Sequence, residues 1–486
     1  MMKTIRMVLL LAIAVLLTGT GSPSILAAPY DSYNYSYWEE AVPAPAPYLP
    51  SKVISGEDLD IGGLNSPQDM FVSEDRLIYI ADTGNNRIVV LDADWKLIRT
   101  ISEFERSGKR DGFNKPTGIF VKPDGTLYVA DSDNKRVVML TSEGEYIKQI
   151  DRPVSDVLPK DFAFNPLKVA VDRADRVYIV AKGVFEGIMQ IDSSGAFIGY
   201  LGTNTVTANV TDYFWKMVST KAQRAQMALF VPTEFTNMDM DAKDFVFTTN
   251  IDKNVNNPIK RLNPSGSDVL KRYGYFGVSG DLLFPLSGLQ SGPSQFSDIK
   301  AGSDGTYSAL DSLRGRIFTY DEEGNLLYIF GQIGSVRGTF KTPTALEKIR
   351  DQYLVLDAGH NRISVFSPTR FGGLVNRATQ LHYEGREQEA AEEWRKVLAL
   401  NANYDLAYIG LGKASLREHD YKEAMRNFEL GMNRKYYAVA YSRYRKQMLQ
   451  ENLGAAFTAV ALLGAAFAAW YAYRRFKSRR SISHEA

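Results

Sequence analysis

Short runs of alternating apolar and polar residues fill the chain from residue 51 to about residue 371, each closed by a turn signature before the next begins. A period of two sends successive side chains to opposite faces, so each run predicts a half-buried β-strand. The strands recur in a fixed order. Pro67, Pro116, Pro166, Pro232 and Pro343 each open an apolar first strand, and a turn such as KPDG at 122–125 leads to the second. The second strand ends in a repeated motif: ADTGNNR, ADSDNKR, LDSLRGR and LDAGHNR. In each, an Asp is followed five positions later by an Arg: Asp82/Arg87, Asp131/Arg136, Asp311/Arg316 and Asp357/Arg362. A third strand follows (RIVVL, RVVML, RIFTY, RISVF), then a polar turn (DADW, SEGE, DEEG) and a fourth strand.

A repeat that cannot bury its own apolar face must stack on copies of itself. Four short strands per repeat, joined by tight turns, make one blade of a β-propeller. Six units begin near Ser66, Lys115, Asn165, Val231, Gln295 and Thr342; in the third and fourth, Ala181 and Thr249 stand where the Asp is expected. The sixth unit stops after its third strand, at Val365–Phe366, and Lys52–Ser55, just ahead of the first unit, can supply the missing fourth. Closing the ring from the other terminus removes exposed sheet edges. LYVADSDNKRVVML and VLDAGHNRISVF resemble the core of the NHL repeat. The resemblance implies a mainly β, six-bladed NHL-like propeller over 51–371. It implies no activity, because the superfold hosts lyases, lactonases, sensors and binding modules.

From residue 372 to 450 the period changes from 2 to 3.6, which predicts helices. One pattern occurs twice at an offset of 34: Leu374/Tyr408, Ala378/Gly412, Ala390/Ala424 and Trp394/Phe428, with Glu387 opposite Tyr421. The segment NANYDLAYIGLGKA (401–414) resembles the junction between two tetratricopeptide repeats. That resemblance implies a groove for a protein partner, and a spacer fits equally well. Two copies are too few for a free-standing solenoid, so they are expected to lean on the propeller or on the next helix, near Tyr436–Gln450.

The ends of the chain add a location. Residues 1–28 read as a secretory signal, with Lys3 and Arg6 before an apolar core and Ile25-Leu26-Ala27 before the cut. Leu453–Tyr473 is free of charge and, at about 20 residues, long enough to span a bilayer. Arg474, Arg475, Lys477, Arg479 and Arg480 follow in the basic tail 474–486 and are expected on the cytoplasmic side. Arg443, Arg445 and Lys446 on the other flank oppose this orientation. The expectation is a single-pass protein of the cell membrane with its bulk outside. Residues 29–50, rich in Tyr and Pro, read as an extended linker whose aromatics either stack on sugars or pack the lower rim of the ring. Cys is absent, which excludes disulfides and thiol chemistry. A formal net charge of +1, together with export, argues against nucleic acid as a partner.

Strand alternation puts the Asp–Arg corners and the blade-to-blade connections on one face. Those connections are long at 103–113, 151–163, 203–231, 275–294 and 333–341, and the third holds a predicted helix over 212–227. Grown loops on a rigid scaffold point to binding of a protein or carbohydrate on that face. The Asp–Arg residues read as structural pairs, not catalysts. The axial channel is lined where each first strand begins, by Asp69, Gly118, Lys168, either Glu234 or Asn237, Asp298 and Ala345. Asp69, Glu234, Asn237 and Asp298 offer oxygen donors suited to a hard cation such as Ca²⁺, and equally to a hydrated channel wall. Of four His, only His360 lies in the propeller; His382 and His419 are in the helical part and His484 is in the tail. The zinc-dependent amidating lyases and the His-dependent streptogramin lyases of this superfold therefore find no match, since a zinc site needs three or four N/S ligands. The lactonase type, with Glu, Asn and Asp around a divalent ion, is the enzyme alternative to a membrane-anchored binding or scaffold protein. The helical repeats are expected below the ring, with the loop-rich face turned outward.

Overall fold

The computed structural model describes residues 28–155, 158, 162–202, 234–251 and 257–482. The signal segment before residue 28 and the whole of the third long connection (203–231), with the helix expected over 212–227, lie outside the described residues.

Six sheets radiate around an axis, and each begins with the strand nearest that axis. Blade one is Asp69–Val72, Ile78–Asp82, Arg87–Leu91 and Leu97–Ile101; blade two is Pro116–Val121, Leu127–Asp131, Arg136–Leu140 and Tyr146–Ile150. Blade three runs from Pro166–Val171 to Phe197–Leu201 and blade five from Phe296–Ala301 to Leu326–Phe330. The second strands of blades one to five are wholly buried, as in Ile78–Asp82, Leu127–Asp131 and Tyr307–Asp311, because blades pack on both of their faces.

Blade four has only three strands among the described residues, Phe235–Met240, Val246–Asn250 and Ile259–Leu262. The expected fourth is diverted after the Asn263–Gly266 turn. There the Asp268 carboxylate accepts from Arg261 N (3.1 Å) and Leu270 N (3.0 Å), taking donors that a ladder partner would use.

Blade six closes as expected. Its strands Pro343–Ile349, Gln352–Asp357 and Arg362–Pro368 are completed by Tyr48–Ser55, with Arg362 opposite Ser55 and Pro368 opposite Tyr48. The closing strand is longer than the Lys52–Ser55 expected, because Tyr48, fully buried, packs on Tyr328, Phe330 and Tyr353.

The linker expected over 29–50 is folded. Tyr33–Tyr35 and Ala41–Pro43 pair as a hairpin along the outside of blade five. Asn34 Nδ2 donates to Leu327 O at 3.3 Å, Arg316 donates to Asp31 O at 2.9 Å, and the hydroxyls of Tyr33 and Tyr35 both reach Asp281.

Five helices follow: α1 (Arg370–Tyr383), α2 (Glu387–Leu400), α3 (Asp405–Arg417), α4 (Tyr421–Leu430) and α5 (Arg434–Ile482). The Thr369 side chain caps α1 by accepting from Gly372 N, and Asp420 caps α4 by accepting from Glu423 N. Glycines let the helices cross closely. A Cβ on Gly412 would stand 2.6 Å from the Phe428 ring and one on Gly410 2.2 Å from Trp394. The helices lean on the ring as expected. Phe371, Val375, Trp394 and Tyr404 share one core with Tyr48, Tyr328, Phe330 and Tyr353, and Tyr404 Oη donates to Leu327 O at 2.8 Å. Lys413 pairs with Glu323 on the third-to-fourth turn of blade five at 2.8 Å, and Tyr383 lies against Gly305 on its first-to-second turn. The helical part therefore sits on the face opposite the Asp–Arg corners.

Candidate functional site

In blades two to six the register of the first strand is set by a bulge near its start, where the residue two positions on faces the channel; in blade one Asp69 reaches the same level by pairing with Ala81 without a bulge. The pairings Gly118 with Ala130, Lys168 with Val180, Asp298 with Leu310 and Ala345 with Leu356 define that level. In blade four Asn237 pairs with Thr249, so Asn237 occupies the channel and Glu234 does not. Glu234 lies before the strand and accepts from Gly183 N at 3.0 Å. The oxygen-donor set expected for a cation therefore loses a member.

The remaining members are engaged. Asp69 accepts from Lys168 Nζ at 2.5 Å and from Ile119 N, on the inner edge of the next blade, at 2.7 Å. Asp298 accepts from Leu346 N of the next blade at 2.5 Å, from Ile299 N at 2.8 Å and from the Asn237 amide. Both carboxylates thus satisfy backbone donors that an innermost strand otherwise leaves unpaired.

Two residues further along the same strands lies a second polar level that the sequence reading passed over. Lys300 there pairs with Glu347 at 3.0 Å and Asp239 at 3.5 Å and sits over the Phe71 ring, 5.4 Å from its centroid. Asp239 also accepts from Ala301 N at 2.8 Å. Its signal was present: side chains two apart on a strand share a face, so 237/239, 298/300 and 345/347 belong together.

Burial dominates the electrostatics. It lifts Asp69 above the usual carboxylate range, and it carries Asp298, with the Asp69 charge adding to it, up to about 7. Burial also carries Glu347 up to about 8 despite Lys300. Burial would lower Lys300, but Asp239 and Glu347 together raise it. Among the described residues no group of three or more His, Cys, Asp or Glu side chains is gathered closely enough to hold a metal ion.

The Asp–Arg motifs divide into two kinds. Asp82 binds Arg87 at 2.7 Å, Asn85 Nδ2 at 2.8 Å and Asn65 N at 2.7 Å; Asp131 binds Arg136, Asn134 and Asn114 N with nearly the same geometry. The pairs Asp311/Arg316 and Asp357/Arg362 do not form. The cause is the residue three after the Asp. It is Asn in blades one and two, but Arg314 in blade five, which turns to Asp281 at 2.8 Å, and His360 in blade six, which takes Asp357 at 2.6 Å. Arg316 and Arg362 donate instead to backbone carbonyls, including Gly331 O and Thr339 O. All four Asp residues nonetheless accept backbone N–H from the loop leading into their own blade, at Asn65, Asn114, Gln295 and Thr342. Asn86 and Asn361 then staple neighbours, accepting from Lys115 N and Ser66 N at 2.8 Å each, the second across the closure of the ring.

On the loop-rich face, residues 103–112 form a hairpin that Arg136 holds through Asp111. Residues 280–294 present Leu283, Leu286 and Leu289 to solvent, the last two more than nine-tenths exposed. The connection containing them starts on the other side of the ring, where Tyr273 N donates to Glu323 O at 2.7 Å.

No protein-family model and no curated protein matches the chain. Among solved structures, virginiamycin B lyase from Staphylococcus aureus is similar at 13% identity, with 65% of this chain and 98% of that one covered and a TM-score of 0.40. The Kuenenia stuttgartiensis hydrazine synthase is similar at 12% identity over 62% of this chain and 95% of that one, with a TM-score of 0.38. The extracellular domain of a putative hybrid two-component system from B. thetaiotaomicron is similar at 12% identity over 62% of this chain and 33% of that one, with a TM-score of 0.35. The propeller assignment rests on the strand order above, and no activity follows from these likenesses.

Proposed function

We propose that this chain is a single-pass, membrane-anchored, extracytoplasmic binding or scaffold protein. In this reading an NHL-like propeller (51–371) presents its loop-rich face outward to a protein or carbohydrate, and a tetratricopeptide-like module (372–450) docks a protein near the bilayer. A signal peptide (1–28) directs export, a transmembrane helix (453–473) anchors the chain, and the basic tail (474–486) stays in the cytoplasm. One observation carries the reading. Helix α5 begins packed on α4, through Phe428 and Tyr436, and continues without a break into a fully exposed apolar stretch long enough to cross a membrane.

The binding role is favoured over chemistry because the channel carboxylates are occupied in holding the ring. The lactonase-type alternative, with Ca²⁺ on Asp69, Asn237 and Asp298, draws less support for the same reason and because Glu234 stands apart. Two measurements decide. A protease or bulky label directed at 203–231 on intact cells stripped of their wall is expected to reach its site while the tail stays protected. Shielding of that loop, with the turn at Asp124 exposed instead, sinks the orientation. Metal analysis and lactone hydrolysis with the purified chain are expected to show no turnover; turnover lost on Asp298→Asn would favour the hydrolase.

A further inference from the structure

The first third of α5 is chemically unlike the rest of the helix. From 434 to 446 it reads RKYYAVAYSRYRK, with Arg434, Lys435, Arg443, Arg445 and Lys446 and no Asp or Glu. None of these five cations forms an ion pair among the described residues. Arg434, Tyr441 and Arg445, spaced seven and four apart, share one face of the helix, with Lys435 and Lys446 beside them. Cations on the outer flank of a span weaken the charge asymmetry that orients it, so their clustering here calls for a use.

At the top of this stretch a cleft opens between α5, the N-terminal hairpin and the lower rim of blade five. It is lined by Tyr37, Tyr273, Tyr275, Tyr436, Asn325 and Lys435. Tyr273 is 68% exposed and Trp38, whose ring lies 5.1 Å from Tyr37, is 66% exposed. Lys435 lies 5.1 Å from the Tyr273 ring centroid. The acid in the cleft, Glu323, is already neutralised by Lys413 at 2.8 Å. Exposed aromatic faces, amide side chains and unpaired cations are the groups that hold a ring bearing hydroxyls and a negative charge.

We propose that this cleft and the basic face of α5 bind an acidic cell-surface polysaccharide. Its carboxylate or phosphate groups would meet Arg434, Lys435, Arg445 and Lys446, and its sugar rings would lie against Tyr273 and Trp38. Anionic lipid explains the surface less well. The cleft cations Arg434 and Lys435 stand 19 and 18 residues before Leu453, roughly 28 Å along a helix and nearly three Debye lengths of about 10 Å; Arg445 and Lys446 stand about 11 Å from it, so lipid accounts for the lower cations and leaves the cleft unexplained. The cell-surface source rests on the extracytoplasmic reading above; the site itself does not.

The test uses the full chain in detergent micelles, so that it is independent of topology, with immobilised polygalacturonate as probe and neutral dextran as control. The expected result is binding to polygalacturonate alone, weakened by salt. A combined Arg434→Ser/Lys435→Ser variant is expected to lose about tenfold in affinity or more, and Tyr273→Ala about threefold, each with an unchanged Tm. Absence of binding, equal binding to dextran, or binding indifferent to the Arg434/Lys435 pair overturns the proposal. So does equal binding of inorganic polyphosphate or of an acidic protein that ignores Tyr273→Ala, or displacement of the polysaccharide by anionic nanodiscs. Failure of the protease assay with binding intact would instead remove the extracytoplasmic reading and leave the site.

Discussion

Ile98, Ile147 and Ile198 occupy the same place on the outermost strands of blades one, two and three, and they are 43, 46 and 52% exposed; Leu327, their counterpart in blade five, is 1% exposed. The strands are equivalent and only their covering differs. Blades one to three present a bare outer edge, whereas blade five carries the N-terminal hairpin, Tyr404 of α3 and the rest of the helical core. The comparison teaches that the ring is built by repetition but anchored on one side. Among the described residues the N-terminal hairpin, the closing strand and the packed helices all gather on blades five and six. That side supports α5, and the bare side is left free.

The largest break in this asymmetry is removal of residues 29–57. It takes away the hairpin, the fourth strand of blade six and the Tyr48 anchor, and cooperative unfolding of the propeller is expected to disappear in calorimetry. A truncated chain that melts like the parent would show that blade six needs no closing strand. Next in size is the interface itself. Trp394→Ala is expected to cost about 3–5 kcal/mol in denaturant unfolding, whereas Ile98→Ala on the bare side should stay within about 0.5 kcal/mol. Similar costs at the two positions would mean that the helical part adds little to blade five.

The corners provide a third contrast. Asp131→Ala should cost about 1–3 kcal/mol, because it strands Asn114 N and Asn134 and takes one of two carboxylates from Arg136, which keeps Asp111. Arg316→Ala should cost less than Arg87→Ala, since Asp311 never uses Arg316. The smallest effect is on the channel side of blades five and six. Asp298 and Glu347 have folded pKa values of about 7 and about 8, above their unfolded ones. Their contribution to stability is therefore full below about pH 4 and is lost as pH rises through 7 and 8. Tm is expected to fall by a few degrees between pH 5 and pH 8.5, and Glu347→Gln should flatten the upper part of that decline. A Tm that rises over this range contradicts the burial argument.

Much of this architecture was legible because period-two alternation and a repeated Asp are local signals. The missing strand after Phe366 was legible for a different reason: a strand count that does not close demands a donor. What misled was Pro. It stands two residues before the channel residue in four blades, at Pro67, Pro116, Pro166 and Pro343, and counting two residues on from Pro232 in the same way gives Glu234. Aligning FTNM at 235–238 with FSDI at 296–299 gives Asn237 directly, because Phe fills the bulge position in both blades without a usable Pro. The failed pairs at Arg316 and Arg362 were also written in the chain, at Arg314 and His360, where Arg and His replace Asn. The fold of 29–50 was not legible, since its partners, Asp281 and Leu327, lie some 250–300 residues away.

The strand at Tyr48–Ser55 also imposes an order in time. It is among the first parts of the propeller to be synthesised and the last to be used, for its partner Arg362–Pro368 follows roughly 300 residues later, about 15–60 s at 5–20 residues per second. Throughout that interval five blades can stack while this eight-residue strand stays unpaired and open to any other edge. Whatever attends this chain as it folds must therefore guard its beginning until its end arrives, and a pause in translation after blade five would lengthen the exposure without altering a single residue.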